Sequence, residues 1–567
     1  MFSSKEPFTN AAWGLIRKHI WYAALFSALV NVLYLAPTIY MIQVYDRVVP
    51  TRGLLTLLFI TLVILFALAT LALLDQMRSA ILNGASIAID EELGPKLVRM
   101  TLSGPASRSP QQIMRDFDTV KMMAGSPAIG ALMDLPWTPL YVIVATIIHP
   151  ILGLVTVIGA GVLLVLAIAN DRATRAAAKA AADSSASMYF AQEALGGSFE
   201  TIRALGMREA LVNQFVASRR ASAAPGRSAT RTAGRYAGTI KFTRLALQSV
   251  ALGVGALLAV NESISAGAII SASVLMARAL SPIDQMVSGW RQLGDARNSL
   301  AMLNDFWRGQ KEERQHTALP APRARLQVEQ VVVAAGQDNL ILKGISFAVD
   351  KPAIVAVAGP SGAGKSTLLQ LLANARRPDR GKVRLDGADL ADWNPEMLAR
   401  HIGYLPQDNL LMSGSIKDNV SRFQALLGED VDAAAIEAAT RAGAHDMVLR
   451  LPGAYDMQLG PRGRGLSAGQ QQRVALARAF YGQPTLVVLD EPYSALDSES
   501  EAQLMQSMQA LRDAGAIVLV AAHKNSFIQM SDYLAIIRDG TLVSFGPTQE
   551  ELARMRKAIP APKETAA

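Results

Sequence analysis

Long uncharged stretches in the first half of the chain constrain its fold most strongly. Trp21–Val44 is 24 residues without a charge, and Leu54–Leu74 is 21. A helix of about 20 apolar residues crosses a bilayer, so both stretches predict membrane spans. The first is too long for a cleaved signal peptide and no small-residue cleavage site follows it, so we expect a retained span with a cytoplasmic N-terminus. The turn after it is expected to hold Tyr45–Arg47 and Pro50–Gly53.

The remaining apolar pattern predicts two further hairpins. Between Leu135 and Asn170 no residue is charged except possibly His149, and this stretch is too long for one crossing and too short for two complete ones. We therefore place a turn at His149–Pro150 and begin the third span near Ile129. Two less hydrophobic stretches, separated by a turn at Asn261–Glu262, are expected to form the fifth and sixth spans. The predicted spans are 21–44, 54–74, 129–148, 151–169, 245–260 and 265–282.

Two polar segments, 75–126 and 171–244, separate the hairpins and are predicted to be helical extensions into the cytoplasm. The second carries twelve Lys and Arg against five Asp and Glu, which fits the excess of positive charge in cytoplasmic loops. Arg47 and Arg52 would lie on the opposite side, against that statistical rule. The net charge of +8 is read as contact with an anionic lipid bilayer and not with nucleic acid, because the basic residues flank apolar segments.

The second half predicts an α/β nucleotide-binding domain. Ala353–Ala358 has the composition of a buried strand and leads into a glycine-rich loop and the apolar helix 368–373. The loop residues, which we expect to bind ATP, are Gly359, Pro360, Ser361, Gly362, Ala363, Gly364, Lys365, Ser366 and Thr367. Backbone N–H groups of such a loop surround phosphate oxygens, while Lys365 would reach the β- and γ-phosphates and the Ser366 hydroxyl would bind Mg²⁺.

A second apolar strand, Leu486–Leu489, ends in two carboxylates. Asp490 at the end of a buried strand beside the phosphate loop suits Mg²⁺, and Glu491 could activate the attacking water as a general base.

The segment Leu466–Arg473, just before this strand, resembles the signature sequence of ATP-binding-cassette (ABC) proteins. The resemblance implies that Ser467, Ala468, Gly469 and Gln470 contact ATP held by a partner subunit. It also implies that Gln407 senses Mg²⁺ and the membrane domain, and that His523 contacts the γ-phosphate. The loop implied to contact the second subunit of a dimer is Ser494, Ala495, Leu496 and Asp497. Lys365, Gln407, Glu491 and His523 are thus the expected catalytic residues.

Three features depart from the family pattern. Ala468 replaces the first of two usual glycines, and Val331–Asn339 offers no aromatic side chain to stack on adenine. The segment Leu459–Gly465 has Pro and Arg where related exporters commonly carry a glutamate that helps to couple the motor to the membrane domain.

The membrane half resembles the exporter subunit of type I protein secretion systems. The resemblance rests on Tyr40–Pro50, Asp134–Trp137 and Ala277–Gln285, and it covers nearly the whole chain. It implies a homodimer in the bacterial inner membrane that exports unfolded protein, with a periplasmic membrane-fusion adaptor and an outer-membrane channel as partners. The chain has no cysteine and its first span begins near residue 21, so we expect no N-terminal peptidase-like domain and a cargo with an uncleaved C-terminal signal.

The expected fold is a six-helix all-α ABC-exporter membrane domain followed by an α/β phosphate-loop ABC domain. We place the membrane domain at 1–305, a linker at 306–325, the ATP-binding domain at 326–558 and a tail at 559–567. Export of lipids, drugs or other small molecules is the alternative function, and an ATP-gated channel regulator is a second. Arg278 and Asp284 either form an ion pair at the cytoplasmic end of the sixth span or line the path of the cargo.

Overall fold

A computed structural model describes residues 7–103, 109–195, 199–309, 319–336, 339–408 and 410–558 of the 567-residue chain. The chain divides into two compact units, Met1–Glu312 and Glu313–Ala567. The first is helical and the second is α/β. The tail expected at 559–567 and the part of the expected linker at 310–318 lie outside the described residues.

The first unit consists of eleven α-helices over its described residues, joined in places by short π- and 3₁₀-helical turns. They are α1 (Pro7–Leu33), α2 (Ala36–Gln43), α3 (Val49–Thr51), α4 (Leu54–Ser103), α5 (Pro110–Ala124), α6 (Pro127–Asp134), α7 (Thr138–Ile148), α8 (Pro150–Leu195), α9 (Phe199–Ala204), α10 (Arg208–Val260) and α11 (Ala266–Gly309).

Six helical segments of the described chain are long and apolar enough to cross a membrane. They are Pro7–Thr51, Leu54–Leu102, Pro127–Ile148, Pro150–Ala177, Gly226–Val260 and Ala266–Val287. The 50 residues of α4 extend about 75 Å at 1.5 Å per residue, far more than the roughly 30 Å of a hydrocarbon core. Helices α8, α10 and α11 are similarly long. The charged segments between the predicted spans therefore continue the spans as helices, and α11 runs four residues into the segment expected as a linker.

The first helix begins at Pro7, well before the predicted span start at Trp21. Its first turn is packed inside the unit, where the buried ring of Phe8 contacts Phe117 and Trp307 with centroid separations of 6.5 and 5.6 Å. These contacts with α5 and α11 favour an early helix start that an apolar run alone does not reveal.

The turn expected around Tyr45–Arg47 is helical. These residues form a π-helical turn, Val44–Val48, and the chain reverses at Arg52, which has a left-handed φ of 51°, and Gly53. Asp46 accepts hydrogen bonds from the Ser265 hydroxyl and from the Gly267 N–H, the latter at 2.8 Å. The wider π turn directs this carboxylate to the start of α11, a contact that the local sequence does not encode.

The second unit contains twelve strands over its described residues. They are β1 (Leu326–Ala334), β2 (Leu340–Val349), β3 (Ala353–Ala358), β4 (Arg380–Leu385), β5 (Ala388–Asp389), β6 (Ile402–Leu405), β7 (Gly414–Ser415), β8 (Gln458–Leu459), β9 (Leu486–Asp490), β10 (Ile517–Ala521), β11 (Tyr533–Arg538) and β12 (Thr541–Pro547). Its α-helices are α12 (Lys365–Leu372), α13 (Pro395–His401), α14 (Ile416–Val420), α15 (Asp432–Arg441), α16 (His445–Leu449), α17 (Ala468–Phe480), α18 (Ser498–Asp513), α19 (Asn525–Gln529) and α20 (Thr548–Ala558).

A six-stranded sheet of order β12-β11-β3-β10-β9-β6 forms the centre of this unit. Strands β3, β9 and β10 are apolar apart from the terminal Asp490, and they are buried almost completely, as expected for parallel strands covered on both faces. Pairing is parallel from β11 to β6, and Ala521 of β10 lies opposite both Val357 of β3 and Asp490 of β9. The strands therefore end at one edge, where ligands of open α/β sheets bind.

Candidate nucleotide site

The glycine-rich loop closes tightly between β3 and α12. Gly364 has a left-handed φ of +98° directly before the helix, and a Cβ at Gly359 would lie 2.1 Å from the carbonyl oxygen of Ile537. Neither position accommodates a side chain without strain or a clash. The loop thus brings its backbone N–H groups and the N-terminus of α12 together, an arrangement suited to phosphate.

Lys365 is the first residue of α12 and is buried. Its ammonium group donates hydrogen bonds to the carbonyl oxygens of Gly359 and Pro360 at 2.9 and 3.0 Å. Burial lowers the pKa of Lys365, while the nearby carboxylates of Glu491 and Asp490 oppose that shift. The cation is therefore held inside the loop, opposite two acidic groups.

Asp490 ends β9 with its side chain almost fully buried, 3% exposed. Burial raises the pKa of its carboxyl group, and a hydrogen bond from the Ser366 hydroxyl opposes the shift. The two residues assigned to Mg²⁺ are therefore adjacent in space. They are 124 positions apart in the chain and meet because β9 and α12 end and begin at the same edge of the sheet.

Glu491 and His523 also meet at this edge. The Nε2 atom of His523 lies 3.3 Å from Oε1 of Glu491, and Glu491 has a left-handed φ of 49°. His523 follows β10 by two residues, while Glu491 follows β9 directly. The parallel register of these strands explains why the two side chains meet.

Gln407 lies two residues beyond β6, whose Leu405 is opposite Leu489 of β9. It is exposed and follows a strand that ends at the same edge as Asp490. The backbone therefore places Gln407 at the edge of the sheet where Asp490 lies.

The signature residues lie at the start of α17. The Ser467 hydroxyl accepts a hydrogen bond from the Gln470 N–H, and the Gln470 side chain accepts one from the Ser467 N–H, which together form a capping box. A Cβ on Gly469 would lie 3.0 Å from the carbonyl oxygen of Ala495, whereas Ala468 is exposed. The structure thus explains why alanine is tolerated at the first position and why glycine occupies the second.

The expected dimer-contact loop, Ser494–Asp497, lies between β9 and α18. The Asp497 carboxylate caps that helix by accepting a hydrogen bond from the Ser500 N–H at 2.9 Å, and hydrogen bonds from Ser500 lower the pKa of Asp497. Arg473 of α17 contacts both residues, at 2.7 Å to the Ser500 hydroxyl and 3.8 Å to Asp497. In the described part of the chain, no hydrogen bond or ion pair joins Ser467–Gln470 to the phosphate loop.

Comparison with known proteins places this site in a family. Residues 20–282 match the family described as ABC transporter transmembrane region, and residues 342–494 match the family described as ABC transporter. The chain is 36% identical over 535 residues to the Type I secretion system ATP-binding protein PrsD of Rhizobium meliloti, covering 93% of this chain and 91% of that protein. The chain belongs to the ABC transporters of type I secretion systems. It is a multi-pass membrane protein that binds ATP and couples ATP hydrolysis to transport.

Further relatives of this type I secretion ABC transporter are toxin exporters by name. It is 27% identical to the Toxin RTX-I translocation ATP-binding protein of Actinobacillus pleuropneumoniae, over 93% of this chain and 75% of that protein. It is also 27% identical to the Alpha-hemolysin translocation ATP-binding protein HlyB of Escherichia coli O157:H7, over 94% of this chain and 76% of that protein. A solved structure of a bacterial Atm1-family ABC exporter with ATP bound matches with a TM-score of 0.78 at 23% identity, covering 98% of this chain and 100% of that one. This last match shows the ABC exporter fold.

Two residues at the site of this ABC transporter were not expected from the sequence. The Tyr493 hydroxyl accepts a hydrogen bond from the His523 backbone N–H at 2.7 Å. The buried Gln472 side chain donates to the Pro492 carbonyl oxygen at 2.5 Å. Tyr493 is close to Glu491 in the sequence, whereas Gln472 is 19 residues before it, and the hydrogen-bond partners of both depend on the tertiary fold.

In the membrane domain, Arg278 and Asp284 have different partners. Asp284 lies 3.7 Å from Arg244 of α10, and the Arg278 guanidinium lies 3.9 Å from the centre of the Tyr34 ring. In the described chain, Arg278 and Asp284 therefore do not pair with each other: Asp284 pairs with Arg244, and Arg278 makes a cation–π contact.

Proposed function

We propose that this transporter is the inner-membrane subunit of a type I secretion system, which hydrolyses ATP as a homodimer and exports unfolded protein. The match to the type I secretion protein of Rhizobium meliloti over nearly the full length of both chains carries the proposal. The site geometry supports it, because Lys365, Asp490, Glu491 and His523 lie at one edge of the sheet.

The residues present fit Mg²⁺–ATP. Ser366 and Asp490 offer adjacent oxygen atoms, the ligands that Mg²⁺ prefers. No group of three or more His, Cys, Asp or Glu side chains in the described chain could hold a metal. That suits an ion whose remaining ligands come from phosphates and water. When bound, Mg²⁺ neutralises charge that develops on the phosphates.

The roles proposed at the site follow from chemistry and position. Residues Gly359–Thr367 bind the phosphates, with Lys365 on the β- and γ-phosphates. The Glu491 carboxylate accepts a proton from a water molecule. The oxygen of that water attacks the γ-phosphorus, and the bond between the γ-phosphate and ADP breaks. His523 and Gln407 stabilise and orient the transferred phosphate, and the 3.3 Å contact of His523 with Glu491 supports a role for both groups at the same phosphate.

A homodimer would complete each site. Ser467–Gln470 begin a helix that is exposed at its N-terminus and has no described contact with its own phosphate loop. We infer that they bind ATP held by the second subunit, while Ser494–Asp497 contact that subunit. A two-fold dimer then forms two equivalent sites, each with an intact Glu491 and His523.

Cargo and partners are assigned from the relatives. We propose that the cargo is a protein and that the ATP-binding domain is cytoplasmic. We propose a periplasmic membrane-fusion adaptor and an outer-membrane channel as the partners. An uncleaved C-terminal signal on the cargo remains a prediction from the sequence.

ATP hydrolysis by the purified full chain in lipid nanodiscs tests this proposal. C-terminal fragments of secreted repeat proteins should change the rate or the KM for ATP, whereas scrambled fragments should not. Stimulation by lipids or drugs, with no response to any fragment, would assign the transporter to small-molecule export. Glu491→Gln serves as the control for activity from contaminating ATPases.

A further inference from the structure

Tyr493 connects the two segments that carry Glu491 and His523. Its hydroxyl accepts a hydrogen bond from the backbone N–H of His523 at 2.7 Å. The side chain is buried, and its ring packs against Phe527 with a centroid separation of 4.8 Å. A phenylalanine here would keep the ring contacts and lose this hydrogen bond.

The backbone of His523 needs such an anchor. Its side chain is 41% exposed, and its Nε2 atom lies 3.3 Å from Oε1 of Glu491. It follows the last residue of β10 by two positions, so the strand ladder no longer holds it. The Tyr493 hydroxyl therefore holds the His523 backbone beyond the end of the strand.

The peptide that carries Tyr493 is itself held by the signature helix. Gln472 of α17 is 1% exposed and donates to the Pro492 carbonyl oxygen at 2.5 Å, while its own oxygen accepts from the Ser494 hydroxyl at 3.5 Å. Tyr493 lies between these two contacts. The residues on either side of Tyr493 are thus held by a buried amide, and its ring is held by packing against Phe527.

We propose that Tyr493 is a positioning residue for ATP hydrolysis, which acts through His523 by fixing the backbone from which that side chain reaches the γ-phosphate. The proposal rests on the function proposed for His523. Nothing in the phosphate-loop, signature or dimer-loop motifs assigns a role to this hydroxyl. The hydrogen bond between Tyr493 and His523 acts on the hydrolysis step, so its removal should lower kcat and leave ATP binding intact.

Tyr493→Phe in the full chain is the direct test. We expect kcat to fall about tenfold, equivalent to about 1.4 kcal/mol, with the KM for ATP within about twofold of the parent value. Tyr455→Phe is the matched control, since the Tyr455 hydroxyl also binds a histidine, His445 Nδ1 at 2.9 Å, away from the sheet edge. The control should retain the parent kcat.

A double-mutant cycle with His523→Ala separates positioning from simple loss of packing. If Tyr493 acts through His523, Tyr493→Phe has no further effect on kcat in the His523→Ala background. An equal loss in both backgrounds, or parent kcat in Tyr493→Phe alone, would overturn this proposal and leave the role of His523 intact. Parent kcat in His523→Ala alone would overturn both.

Discussion

Asp134 is the centre of a buried polar network where α6 approaches α1 and α4. One carboxylate oxygen accepts hydrogen bonds from Ser27 at 2.5 Å, Asn31 at 2.8 Å and Arg78 at 2.7 Å. The side chains of Arg78 and Asp134 are 12% and 14% exposed, and Arg78 also pairs with the more exposed Asp75 at 2.6 Å. The network therefore joins helices that are distant in sequence.

Replacing Asp134 by Asn keeps the size and one acceptor oxygen but removes the charge facing Arg78. Breaking a buried ion pair costs about 3–5 kcal/mol, and one hydrogen bond to a charged group contributes about 1.5–3 kcal/mol. Arg78 retains Asp75 and the amide retains acceptor capacity, so we expect a loss of about 2–3 kcal/mol in the free energy of unfolding. Asp90→Asn is the matched control, because its pair with Lys121 at 3.1 Å is half exposed and surface pairs contribute about 0–1 kcal/mol.

Thermal unfolding in nanodiscs, followed by tryptophan fluorescence, measures both variants. The midpoint for Asp134→Asn should fall by several degrees more than that for Asp90→Asn. Adding Arg78→Met should cost less in the Asp134→Asn background than in the parent, since the pair is already broken. Equal midpoints for the two Asn variants, or strictly additive losses, would refute the network as a source of stability.

Three further predictions concern the nucleotide site. Glu491→Gln should lower kcat by about 10²–10⁴-fold with ATP binding retained, measured as phosphate release and nucleotide binding; unchanged turnover would exclude Glu491 as the base. Burial raises the pKa of Asp490, so this group lowers the stability of the nucleotide-free fold as the pH rises above the ordinary carboxyl pKa, and by the full amount above the raised pKa. Asp490→Asn should therefore raise the nucleotide-free unfolding midpoint at pH 7 and abolish stabilisation by Mg²⁺–ATP; a lower midpoint would contradict this reasoning. Gly469→Ala should reduce ATPase activity because its Cβ would lie 3.0 Å from the Ala495 carbonyl oxygen, whereas Ala468→Gly should not; equal activities would contradict the steric argument.

The nucleotide site could be predicted from the sequence because its motifs are local. Strand β3, the glycine loop and the start of α12 are contiguous, so their order alone predicts their geometry. The parallel sheet then brings Asp490 and His523 to the same edge, which follows from strand order. The Tyr493 contact could not be predicted, because its donor lies 30 residues away in a loop after another strand.

Membrane helices were predictable in position but less so in extent. Hydropathy identifies only the apolar part of α4, whereas the helix continues to Ser103 through charged residues, most of which are exposed. The early start of α1 depends on Phe8 packing against rings from α5 and α11. The partner of Asp284 is Arg244, 40 residues earlier, and no local pattern distinguishes it from Arg278.

Translocation by the purified chain tests the central claim of ATP-driven protein export most directly. Proteoliposomes with outward-facing ATP-binding domains would receive a labelled unfolded polypeptide that ends in a C-terminal secretion signal. The account predicts that Mg²⁺–ATP makes the label resistant to external protease for the parent chain and not for Glu491→Gln. Continued ATP hydrolysis by the parent chain with the label fully digested would contradict it.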